Sequence, residues 1–220
     1  MDWTAVGLTL KLASCTTVIL FVVGVPLAYW LSVTRWRGRF LVESIVALPL
    51  VLPPTVLGFY ILMTLGPNSL PGQAFESIFG RTLPFSFAGI LLGSVLYNLP
   101  FSVRPFMAAF SRTDRKLVEA SWCLGRSPWE TFWRITFPLS RPGIVTGMVL
   151  TFAHSVGEFG VVLMVGGNIP GVTRTLSIAI YDDVQALDYA SAGQAAMLLV
   201  GFSLVILAAV QLTTRRELPV

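Results

Sequence analysis

Charge is what this sequence has least of. Only 12% of its 220 residues are Asp, Glu, Lys or Arg, about half of the roughly 25% found in an average soluble chain. The polar surface needed to wet a globule is missing, and a disordered chain or a coiled coil is excluded as well. Cysteine is nearly absent too: Cys15 stands in an apolar run and Cys123 in a basic segment. Two isolated cysteines give neither a disulfide scaffold nor the ligand spacing of a zinc site, so no bridge and no metal centre are expected. What the sequence holds instead is apolar, with 55% hydrophobic residues and a mean hydropathy of +0.76. Such a chain calls for lipid as its solvent.

The apolar residues are gathered into runs. Residues 12–34, 44–75, 82–103 and 189–214 carry no charge, and 142–173 is interrupted only by Glu158. About 20 apolar residues cross a bilayer as a helix, and none of these runs shows the alternation of a transmembrane strand. The second run loses its apolar character after Leu65, where Gly66-Pro67-Asn68-Ser69 supplies turn residues. The reading is an all-α polytopic membrane protein, a single domain over 1–220, with five spans at about 9–34, 43–65, 85–110, 142–165 and 190–213. The first run is followed by Arg35, Arg37 and Arg39 rather than a small-residue cleavage site, so it is expected to be retained as a span. Pro26 within it predicts a kink.

Basic residues fix the expected orientation, because cytoplasmic loops are enriched in them. With the N-terminus outside, the inner segments hold Arg35, Arg37, Arg39, Arg112, Arg115, Lys116, Arg126, Arg134, Arg141, Arg215 and Arg216. The outer ones hold Lys11, Arg81 and Arg174, and Arg104 lies within the third span. The N-terminus is therefore expected outside and the C-terminus in the cytoplasm. The net charge of +4 follows from this topology and implies no nucleic-acid partner.

The inner segment 111–141 reads as a folded element. Ser111 followed by Asp114 resembles a capping box, opening a helix with Leu117, Ala120, Ser121 and Leu124 on one face. Gly125 ends it. Ser127-Pro128-Trp129-Glu130 then supplies an N-cap, a proline at the first helical position and an acid at the third. Trp129, Phe132 and Trp133 share a face, and Pro138 and Pro142 are expected to stop this helix before the fourth span.

The same residues carry a resemblance. Glu119-Ala120-Ser121, Gly125 four positions on, and Ile135-Thr136-Phe137-Pro138 after nine more residues are similar to the cytoplasmic signature loop of permeases of ATP-binding-cassette importers. Ser121 and Phe137 depart from the family's alanine and leucine. The resemblance implies a type I permease core with a cytoplasmic coupling helix, and it assigns Glu119, Ala120, Ser121 and Gly125 to coupling with an ATPase. The chain has no G-x-x-x-x-G-K-[ST] phosphate loop. ATP and Mg are thus expected on partner ATPase subunits, with no cofactor in this chain.

Further motifs narrow the branch. Leu48-Pro49-Leu50-Val51-Leu52-Pro53-Pro54, Ser155-Val156-Gly157-Glu158-Phe159-Gly160 and Gly167-Asn168-Ile169-Pro170-Gly171 resemble the molybdate permease family, with tungstate and sulfate permeases as the alternatives. The resemblance implies a bacterial or archaeal inner-membrane location and an extracytoplasmic oxyanion-binding protein as partner. Burying a bare dianion in hydrocarbon costs tens of kcal/mol. One chain of five spans does not easily enclose a polar path, so a homodimer with the path at its interface is expected.

Candidates for pathway or gate are Pro53 and Pro54, which break a helix, together with Arg104, Ser155, Glu158, Asn168 and Arg174. Glu158 is the most informative, since an ionised acid in mid-helix costs about 2.5–3.5 kcal/mol. His154, Arg104 and Arg174 are its expected partners. Outside, Leu176, Ile180, Val184 and Leu187 share one face of an expected amphipathic helix. A different class, an intramembrane hydrolase built on His154, Ser155 and Glu158, is disfavoured, because adjacent residues project about 100° apart on a helix. No catalytic residue is expected.

Overall fold

The computed structural model describes residues 2–215. They form α1 (Trp3–Val33), α2 (Arg39–Ala47), a 3-10 turn (Leu48–Leu50), α3 (Pro54–Leu65), α4 (Leu70–Phe79), α5 (Phe87–Ser111), α6 (Arg115–Cys123), α7 (Pro128–Thr131), a π-helical turn (Phe132–Thr136), α8 (Phe137–Val156), α9 (Gly160–Gly166), α10 (Leu176–Gln185) and α11 (Tyr189–Arg215). No strand occurs among the described residues. Arg216, counted with the inner basic residues, lies outside them.

Three helices, α1, α5 and α8, pack on one another and make the centre. Each is held at its start or along its length by identifiable residues. Asp2 caps α1 by accepting from the N–H groups of Thr4 and Ala5, and Ser86 caps α5 by accepting from Gly89 N–H. On α1, Ala5, Thr9, Leu12, Thr16, Leu20, Gly24, Ala28 and Leu31 are buried, a stripe at helical spacing rich in small residues. Without a hydrophobic drive between helices in lipid, close approach of backbones supplies the packing. At Gly24 and Gly147 added Cβ atoms would lie 3.4 Å and 2.7 Å from the Phe106 ring. Phe106 fills the space between the three helices with Val103, Leu31 and Ile144 around it.

The remaining helices border this centre. α3 pairs with α9, and α11 lies against α10 and α8, turning Met197, Val200, Leu204 and Val205 outward. The start of α10 is pinned to α1 by the Leu176 N–H, which donates to Thr9 Oγ1 at 2.8 Å. Helices α1, α5 and the Tyr189–Ala208 part of α11 are individually long and apolar enough to cross a membrane.

The other two expected spans are broken. Arg39–Leu50 and Pro54–Leu65 meet at 111°. Pro53 and Pro54 cause the corner, since neither supplies an N–H to carry the helix across it. The break falls where Pro53 and Pro54 were expected to place it, and α3, at 12 residues, is about 18 Å long, short of the roughly 30 Å hydrocarbon core by itself. The fourth span bends by 59° between Val156 and Gly160. By contrast, Pro26, Pro100 and Pro105 lie inside unbroken helices.

Two boundaries in the 111–141 segment also differ from expectation. Ser111 belongs to the end of α5, and Asp114 is the cap of α6, accepting from Lys116 N–H at 2.9 Å. Pro138 and Pro142 do not stop the second helix, which runs on into α8. The reason is the π turn: Phe137 N–H donates to Phe132 O, which moves the register by one residue where Pro138 has no N–H to give. The expected apolar face of α10 is corrected as well. Leu176, Ile178 and Ala179 are its buried residues, while Leu187 lies beyond the helix at φ 61 and is exposed.

Candidate functional site

The break in the fourth span opens a cleft of about 570 Å³, lined by Pro54 and Thr55 of α3, Tyr97 of α5, Ala153 and His154 of α8, and the linker residues Gly157 to Gly160. Gly160 lets α3 come close, for a Cβ there would lie 2.8 Å from Pro54. α3 and α9 are pressed together in the same way at Gly58, where a Cβ would meet that of Met164 at 2.6 Å.

Glu158 sits in the break and is 4% exposed. Its Oε2 accepts from Ser94 Oγ at 2.6 Å and from Asn98 Nδ2 at 2.8 Å; its Oε1 has no partner. Hydrogen bonds to a charged acceptor are worth about 1.5–3 kcal/mol each, so two are of the size needed to offset the cost of an acid in mid-membrane. Asn98 extends the network, because its Oδ1 lies 2.8 Å from His154 Nδ1. The expected partners of Glu158 are therefore corrected: His154 connects to it only through Asn98, Arg104 is exposed on α5, and Arg174 is engaged elsewhere. Ser94 and Asn98 escaped the sequence reading, although polar residues one turn apart in an apolar span were a usable signal.

Ser155 is buried with an unpartnered hydroxyl, and His154 is stacked on Phe101. No hydrogen bond joins a nucleophile to a base here, and the hydrolase arrangement is absent among the described residues. Of the candidate pathway residues, Pro54 and Glu158 reach the cleft and Pro53 forms the corner beside it. Asn168 and Arg174 form a separate cluster. Arg174 donates through Nε to Asn168 Oδ1 at 2.7 Å and pairs with Asp182 at 3.1 Å, while Asn168 Nδ2 donates to Asp182. These bonds tie the Gly167–Thr175 loop to α10.

At the other end of α8 lies the helical hairpin α6–α7. Gly125 adopts φ +77, a conformation that other residues enter at a cost. Ser127 and Glu130 form the reciprocal capping box at 3.2 and 3.3 Å. The Ser121 and Thr131 hydroxyls are 2.9 Å apart and buried, which braces α6 against α7. Glu119 faces outward in a pair with Arg115 at 3.0 Å, and Ala120 is exposed. So are Leu117, Trp122 and Leu124, the last 81% exposed. Of the face read from the sequence, Ser121 is buried, while Leu117, Ala120 and Leu124 are left uncovered among the described residues. Trp129, Phe132, Trp133 and Phe137 form an aromatic cluster behind the hairpin, Trp133 meeting Trp129 and Phe132 edge to face, with Tyr29 and Phe110 joining at Phe132.

Three packed helices, two broken spans and a capped hairpin continuous with one of them make up the fold. The fold matches a solved structure described as an inward facing conformation of the MetNI methionine ABC transporter, with a TM-score of 0.77, 21% identity, and coverage of 100% of this chain and 97% of that one. The sequence matches the binding-protein-dependent transport system inner membrane component family over residues 21–217, and the chain belongs to that family. It is similar to the molybdenum transport system permease protein ModB of Azotobacter vinelandii, 50% identical over 97% of this chain and 95% of that one. The corresponding protein of Escherichia coli strain K12 is 39% identical over 84% and 80%. The chain is thus a permease subunit of an ATP-binding-cassette importer, an all-helical membrane protein that is not itself an enzyme.

Proposed function

We propose that two copies of this chain form the path by which an importer moves molybdate into the cell, driven by cytoplasmic ATPase subunits that bind ATP and Mg and fed by an extracytoplasmic oxyanion-binding protein. The observation that carries the substrate is the 50% identity to a molybdenum permease along nearly the whole of both chains. In this reading residues 1–220 act as one transmembrane domain, N-terminus outside, with segment 111–141 in the cytoplasm.

The geometry supports a division of labour along one rod. The exposed apolar face of Leu117 and Leu124 meets the ATPase, flanked by Glu119, Ala120, Ser121 and Gly125. The brace at Ser121 and Thr131 and the capping box pass its movement into the helix that runs from Pro128 to Val156. That helix ends at the cleft. Pro53, Pro54, Ser155 and Glu158 belong to the gate region, Arg104 attracts anions at the inner half of the path, and Asn168 and Arg174 shape the outer mouth. In this reading a second copy closes the cleft that α3, α5, α8 and the start of α9 line in one copy.

The test is competition uptake into proteoliposomes holding the permease, its ATPase and its binding protein. Molybdate is expected to enter only with ATP, with tungstate competing and sulfate competing less. ATP-driven uptake of sulfate alone would reassign the substrate, and no uptake of any of the three would overturn the reading.

A further inference from the structure

We propose that His154 is the residue that contacts the transported anion in the cleft, and that Asn98 is the positioning residue that holds its ring for the task. The proposal rests on the oxyanion-permease reading above and names a binding group within it.

The hydrogen-bond network decides the orientation of Asn98 without ambiguity. One of its side-chain atoms lies 2.9 Å from Ser94 O and 2.8 Å from Glu158 Oε2. A peptide carbonyl accepts only, so that atom is the amide nitrogen. The oxygen is then the atom 2.8 Å from His154 Nδ1, and Nδ1 must carry the proton and donate it. The ring is also fixed in its plane. It stacks on Phe101 at 3.7 Å between centroids and 23° between planes, with Tyr97 at 5.3 Å. Nε2, on the opposite edge, has no hydrogen-bond partner among the described residues and is the ring nitrogen left for a ligand in the cleft that His154 lines.

The lining explains why this atom matters. Its side chains with hydrogen-bond donors are Thr55, Tyr97 and His154; it contains no Lys or Arg. An anion leaving water for this cleft needs compensating charge, and His154 is the one lining side chain able to become a cation. When the anion arrives, a proton from bulk solvent enters with it and binds Nε2, whose N–H then donates to an anion oxygen, a charge-assisted bond. Nδ1–H keeps its bond to Asn98, whose amide in turn donates to Glu158. The titratable groups that face the ring are Glu158, through Asn98, and Tyr97. When the anion moves on, the proton returns to water. A site charged only while occupied binds strongly enough to admit the ion and releases it afterwards, as conduction requires.

The chain has a single histidine, which makes the test site-specific. The full importer is reconstituted with only this chain carrying 15N in its histidine ring, and nitrogen NMR is recorded with sodium molybdate or with sodium chloride of equal ionic strength. The expected resting signal is the Nδ1–H tautomer; molybdate, not chloride, is expected to convert it saturably to the form protonated on both nitrogens. In uptake assays His154→Gln is expected to lose more than tenfold in molybdate transport. An Nε2–H tautomer at rest, an unchanged ring with saturating molybdate, or full uptake by His154→Gln would each overturn the proposal. A wild-type importer that moves no oxyanion would overturn the permease reading instead, and this proposal with it.

Discussion

The two ends of the Pro128–Val156 helix are built on opposite plans. At the hairpin end polar groups are paired by neighbours close in sequence: Ser127 with Glu130, Asp114 with Lys116, Arg126 with Glu130. The apolar residues Leu117, Trp122 and Leu124 are the ones left uncovered. At the cleft end the apolar residues are packed and the polar ones are left incomplete, with Glu158 Oε1 and Ser155 Oγ unpartnered. A stiff element with an uncovered apolar face suits a permanent protein contact. A buried polar network with open valences suits a passing polar ligand. On the proposed reading, the difference is that one rod serves a motor at one end and an ion at the other, each end keeping its own kind of unmet need.

The largest effect is expected from forcing the hairpin. Gly125→Val places a β-branched residue at φ +77, where a Cβ meets no neighbour within 4 Å. The cost is therefore backbone strain, about 1–2 kcal/mol, and it is applied to the angle between α6 and α7. Molybdate uptake is expected to fall at least tenfold, with the chain still extracted as a stable protein in detergent.

Breaking the polar end comes next. Asn98→Leu removes one donor to Glu158 and the acceptor for His154, and is expected to cost about 2–3 kcal/mol, read as a lowered Tm in detergent. Glu158→Gln keeps an acceptor for Ser94 and Asn98, so assembly is expected to survive while uptake is disturbed; unchanged uptake would remove Glu158 from the mechanism. A smaller loss is expected from Gly58→Ala, which sets a methyl 2.6 Å from Met164 Cβ. Overpacking of this kind costs about 1–3 kcal/mol, reduced here to the extent that α3 shifts away from α9. The smallest effect is the brace: a double-mutant cycle on Ser121→Ala and Thr131→Val is expected to give a coupling of about 1 kcal/mol.

The same contrast governs how much was legible in the sequence. The hairpin was readable because its signals are local: Gly125 closes α6, and Ser127-Pro128-Trp129-Glu130 opens α7 as its residues imply. The family followed from those same positions. The error at Ser111 was one of choosing between two caps three residues apart. Pro138 misled because a π turn absorbs its missing N–H, and nothing in the residues announces that register shift. At the second span the prolines marked the break, but its 111° angle depends on where α3 finds α9. Glu158 stood out as a charge in an apolar run, yet its partners are 60 and 64 residues away, and helical periodicity carries no information across that distance. Its expected partners, His154, Arg104 and Arg174, are all basic, whereas the structure meets it with a hydroxyl and an amide.

The most direct measurement takes both readouts from the same proteoliposomes: molybdate moved and ATP hydrolysed, for one variant at each end of the rod. Leu124→Asp, on the uncovered face of the hairpin, is expected to lose hydrolysis stimulated by the binding protein and uptake together. Glu158→Ala, in the cleft, is expected to lose uptake while hydrolysis continues. If instead the cleft variant silenced the ATPase as fully as the hairpin variant, or the hairpin variant transported normally, the assignment of motor contact to one end and ion path to the other would be wrong.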